Sequence, residues 1–363
     1  AMTETLAACL VSGLLAVVAF PSTLRSSLLA GVLLGLLALC RPTFLASAVL
    51  WGALACMAAV RRRAAEGGGP VPLRALLALC GGLAVVLLPW GIRNQRQFGH
   101  PMVTTSHGGY TLRLAQNPRY AGLVALTSDP AGWRAYNQVL ADEGYAWMFS
   151  PERSKGTVGL SRSTAGRLAY SGPIDHWEID SDAALQRLAV QHLGQSPSLA
   201  WATARSLLGR LWSPWPRQAD SWPAVARWAL GSEQLLLFAA ATAGLSIWSW
   251  SAGWRGVGPG RIGKPTAVEP IPRQAIPGRA TPVDERHFEN TTEGCARAEV
   301  AAVAAVGRLA VALLLSFTLV HSVYWADMRM RAPLVPVLAL LAARAGVALL
   351  EKWRRLRGGG QPG

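Results

Sequence analysis

Charge is scarce in this chain: Asp, Glu, Lys and Arg make up 15% of its 363 residues, against roughly a quarter in soluble domains. Hydrophobic residues reach 51% and the mean hydropathy is +0.27. That balance argues against a soluble domain and for a membrane protein with one water-exposed part. Cysteine is sparse too. Cys9, Cys40, Cys56, Cys80 and Cys295 form no CxxC pair, so neither a disulfide framework nor a zinc site is suggested. The six histidines make no HExxH or HxH pattern, and no metal site follows from them. No P-loop occurs, and the sequence calls for no nucleotide-binding fold. No cofactor is identified, and any need for a divalent metal stays open. No internal repeat is apparent, and no basic stretch precedes the opening apolar run as a signal peptide requires.

The charges that are present lean basic, with a formal net charge of +15. They cluster beside apolar runs, at Arg61-Arg62-Arg63 and at Lys352, Arg354, Arg355 and Arg357. There they read as cytoplasmic anchors under the positive-inside rule. No nucleic-acid motif accompanies them, and nucleic acid is not expected as a partner.

Seven runs are apolar enough to be candidate spans: about 5–20, 25–40, 43–60, 73–92, 228–250, 300–324 and 332–350. A bilayer crossing takes roughly 20 residues, which leaves the first two short. Arg41-Pro42 divides the second from the third, because proline breaks a helix. A tight hairpin is preferred there over one kinked helix. The expected fold is an α-helical integral membrane protein of about seven transmembrane helices with a small extracytoplasmic α/β domain. Residues 1–92 hold four spans, 93–227 the outer domain and 228–250 the fifth span. A flexible, Gly- and Pro-rich cytoplasmic loop covers 251–299, spans six and seven cover 300–350, and 351–363 is a basic tail. Alternation then puts Glu4, Arg41, Arg329 and Arg331 on the outer side.

Within the outer segment, Met102-Val103-Thr104-Thr105 is strand-like. A Gly108-Gly109 turn follows, then a second alternating piece, Tyr110-Thr111-Leu112. Asp182 is expected to cap a helix running to about Gly194, and Ser196-Pro197 to start another through Trp212. Residues 119–175 are expected to loop over the surface.

The segment Met328-Arg329-Met330-Arg331-Ala332-Pro333 is a charged hinge between two apolar runs. Arginine at a membrane boundary is tolerated where it reaches water or an anionic group such as phosphate. In extended chain Arg329 and Arg331 point the same way, which suits one anionic group.

Four blocks in order resemble the bacterial branch of the dolichyl-phosphate-mannose protein mannosyltransferase and aminoarabinose transferase superfamily, the GT-C membrane glycosyltransferases. They are Gly31–Gly35 to Arg41-Pro42-Thr43; Leu88-Pro89-Trp90-Gly91-Ile92-Arg93-Asn94 with Phe98-Gly99, Gly108-Gly109-Tyr110 and Asn117-Pro118; His176-Trp177-Glu178 through Ser196-Pro197 to Trp212-Ser213-Pro214; and the Met328–Pro336 hinge. The resemblance implies transfer of a sugar from a polyprenyl-phosphate donor to a lipid, protein or polymer acceptor. The reaction would occur at the outer face of a bacterial inner (plasma) membrane, in contact with membrane lipid. It also implies an N-terminally truncated chain, lacking about four helices and the principal catalytic carboxylate, so that activity of the chain alone is not implied.

On that resemblance Glu4 is the candidate catalytic carboxylate, placing the acceptor or carrying a proton. Its other reading is an acid favoured at a helix start. Arg41, Arg329 and Arg331 are candidates for holding the carrier phosphate, since guanidinium pairs with phosphate oxygens in bidentate fashion; otherwise they are interfacial anchors. Arg93, His107 and Tyr324 are substrate-contact candidates. Their plainer readings are a helix-end cation, a turn residue and an aromatic-belt residue. The acidic group Asp175, Glu178, Asp180 and Asp182 reads as a helix-capping run. A transporter or flippase of lipid-linked sugars is the alternative function, although paired broken helices in repeated halves are not seen. A third reading is a non-catalytic remnant.

Overall fold

The computed structural model describes residues 2–20, 23–66, 73–104, 107–116, 161–162, 168–169, 177–215, 223–254, 285–324 and 328–358. Among the described residues ten helices run in order: α1 (Met2–Ala19), α2 (Leu24–Cys40), α3 (Thr43–Glu66), α4 (Leu73–Phe98), α5 (Gly108–Ala115), α6 (Trp177–Gln195), α7 (Pro197–Leu211), α8 (Ala224–Trp254), α9 (Glu285–Val323) and α10 (Val335–Gly358). A 3₁₀ turn, Met328–Leu334, joins α9 to α10. Five of these helices carry stretches long and apolar enough to cross a membrane: Thr43–Arg61, Leu73–Phe98, Ala224–Ser249, Val300–Val323 and Met330–Arg354. The chain is therefore an α-helical, multi-pass membrane protein. α1 and α2 are apolar but shorter.

Between apolar helices in lipid there is no hydrophobic drive to associate, so small residues that allow close backbone approach decide the packing. Gly31 of α2 and Gly82 of α4 do this for their pair. A Cβ on Gly31 would lie 2.1 Å from the Leu79 carbonyl oxygen, and one on Gly82 would lie 2.1 Å from that of Leu28. Gly35 meets Val86 further along, so α2 and α4 run parallel. Gly244 of α8 approaches α10 in the same way at Leu341. α3 packs on α9 through Phe44 against Phe317, ring centres 5.0 Å apart, and through a buried Ser47–Ser316 hydroxyl contact of 2.5 Å. α1 lies at the centre. Ala7, Val11, Leu14 and Val18 recur at helical spacing and are buried against α2, α9, α10 and the 3₁₀ turn.

These pairings fix directions. The start of α1, the ends of α2, α4 and α9, the start of α3 and the 3₁₀ turn share one end of the bundle, called here the Arg41 end. The basic stretches at 61–63 and 352–357 end their helices at the opposite end. The α2–α3 break falls at Arg41, whose backbone is extended (φ −152°, ψ 121°) and whose N–H still closes on Leu37.

Several expectations are corrected. No strand forms over 102–104, and Tyr110-Thr111-Leu112 is helical, within α5. The only ladder among the described residues pairs Ser161–Arg162 with Leu168–Ala169, two residues each. Apart from that ladder, the expected loop at 119–175 lies outside the described residues, as does Asn117-Pro118. Part of the stretch expected as a 251–299 loop is helical, since α8 runs to Trp254 and α9 begins at Glu285, just beyond Pro282; residues 255–284 lie outside the described residues. α4 continues through Pro89 to Phe98 rather than ending near Ile92. A proline inside a membrane helix is tolerated where neighbours compensate.

Candidate functional site

The capping box at Thr23, in which Thr23 Oγ1 accepts from the Ser26 amide at 3.1 Å and Ser26 Oγ from the Thr23 amide at 2.8 Å, closes the α1–α2 hairpin. The hairpin brings Glu4, at the start of α1, to Arg41, just past the end of α2. Arg41 Nη2 donates to Glu4 Oε1 at 2.9 Å, and both side chains keep partial access to the surface (16% and 24%). Thr3 Oγ1 donates to the other carboxylate oxygen at 3.1 Å. Among the described residues the buried Nε of Arg41 has no hydrogen-bond partner. A cation with one buried, unpaired donor is thus held beside a carboxylate at one end of two apolar helices. Such a pair can bind an anionic group through the guanidinium while the carboxylate accepts a proton.

Arg331 is placed differently. It is buried, and its Nη1 donates to the carbonyls of Leu211 (3.0 Å) and Ser213, at the C-terminal end of α7. Its guanidinium lies 5.0 Å over the Phe238 ring, with Gln234 Oε1 3.4 Å from Nη2. A cation is well matched to a helix C-terminus, where unpaired carbonyls carry partial negative charge. A phosphate contact by Arg331 would require these bonds to be exchanged. The extended chain expected over Arg329 and Arg331 is corrected, because Met328–Leu334 is 3₁₀. The side chain of Arg329 lies outside what the structure describes. Tyr324 is half-buried directly after α9, its amide bonded to Val320.

The end of α4 holds Arg93, which stacks over Trp90 at 5.0 Å and donates to Asn94 Oδ1 at 3.1 Å. The buried Asn94 in turn donates from Nδ2 to the Met102 carbonyl at 2.7 Å, pinning the chain as it leaves the helix. His107 precedes α5 at its N-cap, and its side chain makes no capping bond.

Gly108-Gly109, expected as a turn, opens α5 instead. The Gly109 and Tyr110 amides meet an internal anion. Asp182 Oδ2 accepts from Gly109 at 2.8 Å, and Oδ1 accepts from Tyr110 at 2.7 Å. Asp182 therefore does not cap the helix it belongs to, since α6 starts at Trp177; it caps α5 in trans. Gly109 is required at this crossing because a Cβ there would lie 1.9 Å from the Asp182 carbonyl oxygen. Half-burial of Tyr110 raises its phenol above the ordinary 10.

Three features escaped sequence reading. Buried Arg113 bonds His192 Nδ1, Gln116 Nε2 donates to the Val323 carbonyl at 2.7 Å, and His321 is buried in the last turn of α9. Only His321 carried a signal, being an ionisable residue in an apolar run. The others depend on contacts 79 and 207 residues apart in sequence. Among the described residues no group of three or more His, Cys, Asp or Glu converges as metal ligands do. No family model, curated protein or solved structure matches the chain.

Proposed function

We propose that the chain belongs to a membrane glycosyltransferase of the GT-C type, moving a sugar from a polyprenyl-phosphate carrier to a lipid, protein or polymer acceptor. The observation that carries this reading is the Glu4–Arg41 pair with its spare Nε donor. In it, Glu4 takes the proton of the acceptor nucleophile as that atom attacks the anomeric carbon. Arg41 stabilises the negative charge that grows on the departing phosphate, and Arg329 is its candidate companion. Arg331 holds the 3₁₀ turn in place. The reading includes seven crossings, α1 and α2 among them, of a bacterial inner membrane. The Arg41 end and residues 93–227 then face outward, as the opposite placement of the basic stretches favours. Arg93, His107 and Tyr324 line the approach.

The test is turnover of a polyprenyl-phosphate sugar by membranes carrying the full gene product. Release of free polyprenyl phosphate is expected from the parent and a loss of about 100-fold from Arg41→Gln and from Glu4→Gln, typical of a removed charge-stabilising or proton-transfer group. Donor crossing the membrane intact, with no cleavage, would instead mark a flippase. Equal turnover in both variants would remove the site assignment.

A further inference from the structure

The segment between α9 and α10 is fastened at both flanks to the helices that lie beyond the bundle end. On the near side, Gln116, the residue after α5, reaches the Val323 carbonyl at the last residue of α9. On the far side, Arg331 reaches Leu211 and Ser213 at the end of α7. An apolar contact lies between the two fastenings. Ala115, Leu207 and Leu211 are fully buried together, with Trp212 and Met330 packed on them. α5 is itself clamped to α6 by Asp182 and by Arg113–His192. So α5, α6 and α7 form one linked unit that holds the turn from two sides.

We infer that this unit is a clasp, and that Gln116 and Arg331 are positioning residues that fix the α9–α10 turn rather than groups that meet a ligand. Three features support the assignment. Both fastenings end on backbone carbonyls, which place main chain and not merely a side chain. Arg331 is 6% exposed, and its guanidinium is spread over two helix-end carbonyls and an aromatic face, leaving a side chain packed as a bolt. Gln116 is equally buried and is bonded across 207 positions of sequence. Helical membrane bundles rest on their own packing, so the bundle core around α1 does not need the clasp. The turn is held from both directions: Leu334 packs in the core around α1, while the stretch before it, a 3₁₀ run containing proline, has poor internal hydrogen bonding of its own and is fastened by the clasp. The inference does not depend on sugar transfer and stands or falls separately from it.

The test is the accessibility of position 324. Tyr324→Cys is placed in a full-length chain whose native cysteines are replaced, reconstituted in bilayers and labelled with a maleimide. The labelling rate is expected to rise about fivefold in Gln116→Leu and about tenfold in Arg331→Gln. Their combination should rise further, as for lost hydrogen bonds to neutral and to charged donors. Melting of the bundle should stay within a few degrees of the parent. Arg331→Lys, which keeps the charge but not the forked geometry, should fall between parent and Arg331→Gln. If Arg331→Gln fails to fold, Gln116→Leu alone decides, because Gln116 lies beyond the bundle. A labelling rate unchanged in Gln116→Leu at intact fold would overturn the inference. So would a rise matched at an added cysteine in the core of α1, since that would report general loosening.

Discussion

Replacing Asp182 should open α5 without unfolding the bundle. Its carboxylate accepts from two amides, at 2.8 and 2.7 Å, in the first turn of a helix to which it does not belong. Loss of an N-cap costs about 1 kcal/mol and up to about 2, and hydrogen bonds to charged groups are worth about 1.5–3 kcal/mol each. The two estimates describe the same interaction, and α5 has only eight residues, too few to hold as an isolated helix. We therefore expect about 2 kcal/mol of local destabilisation in Asp182→Ala, or about 30-fold faster amide exchange over residues 108–115. Asp182→Asn keeps one acceptor oxygen and should give about a fivefold increase. Hydrogen exchange by mass spectrometry on the reconstituted protein reads both values, and amides in α2 and α4 serve as the internal reference. Exchange over 108–115 within twofold of the parent in Asp182→Ala would refute the trans-cap.

Other consequences follow from the packing. Gly82→Ala should lower the melting temperature by several degrees because its Cβ would run into the Leu28 carbonyl, whereas Gly81→Ala, with nothing within 4 Å, should leave it unchanged. A double-mutant cycle on Ser47→Ala and Ser316→Ala should return a coupling of about 0.6 kcal/mol, the usual worth of a hydrogen bond between membrane helices; zero coupling would deny the 2.5 Å contact. Tyr110 ionises less readily when buried than when free, so its contribution to α5 docking is fully present below pH 10. That contribution is lost as pH rises through the raised value. Amide protection of α5 should thus fall above pH 10, and Tyr110→Phe should abolish that fall.

How much of this was legible in sequence depends on the range of the contacts. The apolar runs announced the five helices long and apolar enough to cross a membrane and the two shorter ones, α1 and α2, and Arg41-Pro42 announced the α2–α3 break, because length, hydropathy and proline act locally. The bounds of α4 and α9 were missed where Pro89 did not stop a helix and where a helix-compatible stretch from Glu285 followed a proline-rich one. Gly108-Gly109 read as a turn because nothing nearby supplies an N-cap. The cap arrives from Asp182, 73 residues away, and glycine is there to admit it. Placing Glu4 and Arg41 at one end was derivable from alternation of spans. Their 2.9 Å contact was not. The burial of Arg331 was hidden for the same reason, since its partners sit 118 and 120 residues earlier in the chain.

The most direct measurement compares binding of polyprenyl phosphate with binding of the matching polyprenol to the reconstituted protein and to its Arg41→Gln and Glu4→Gln/Arg41→Gln variants. The parent should prefer the phosphate by about 10- to 100-fold, the worth of one charged hydrogen-bond set, and both variants should lose that preference while still binding the polyprenol. Equal affinity of the parent for the two lipids would contradict a phosphate-holding role for Arg41.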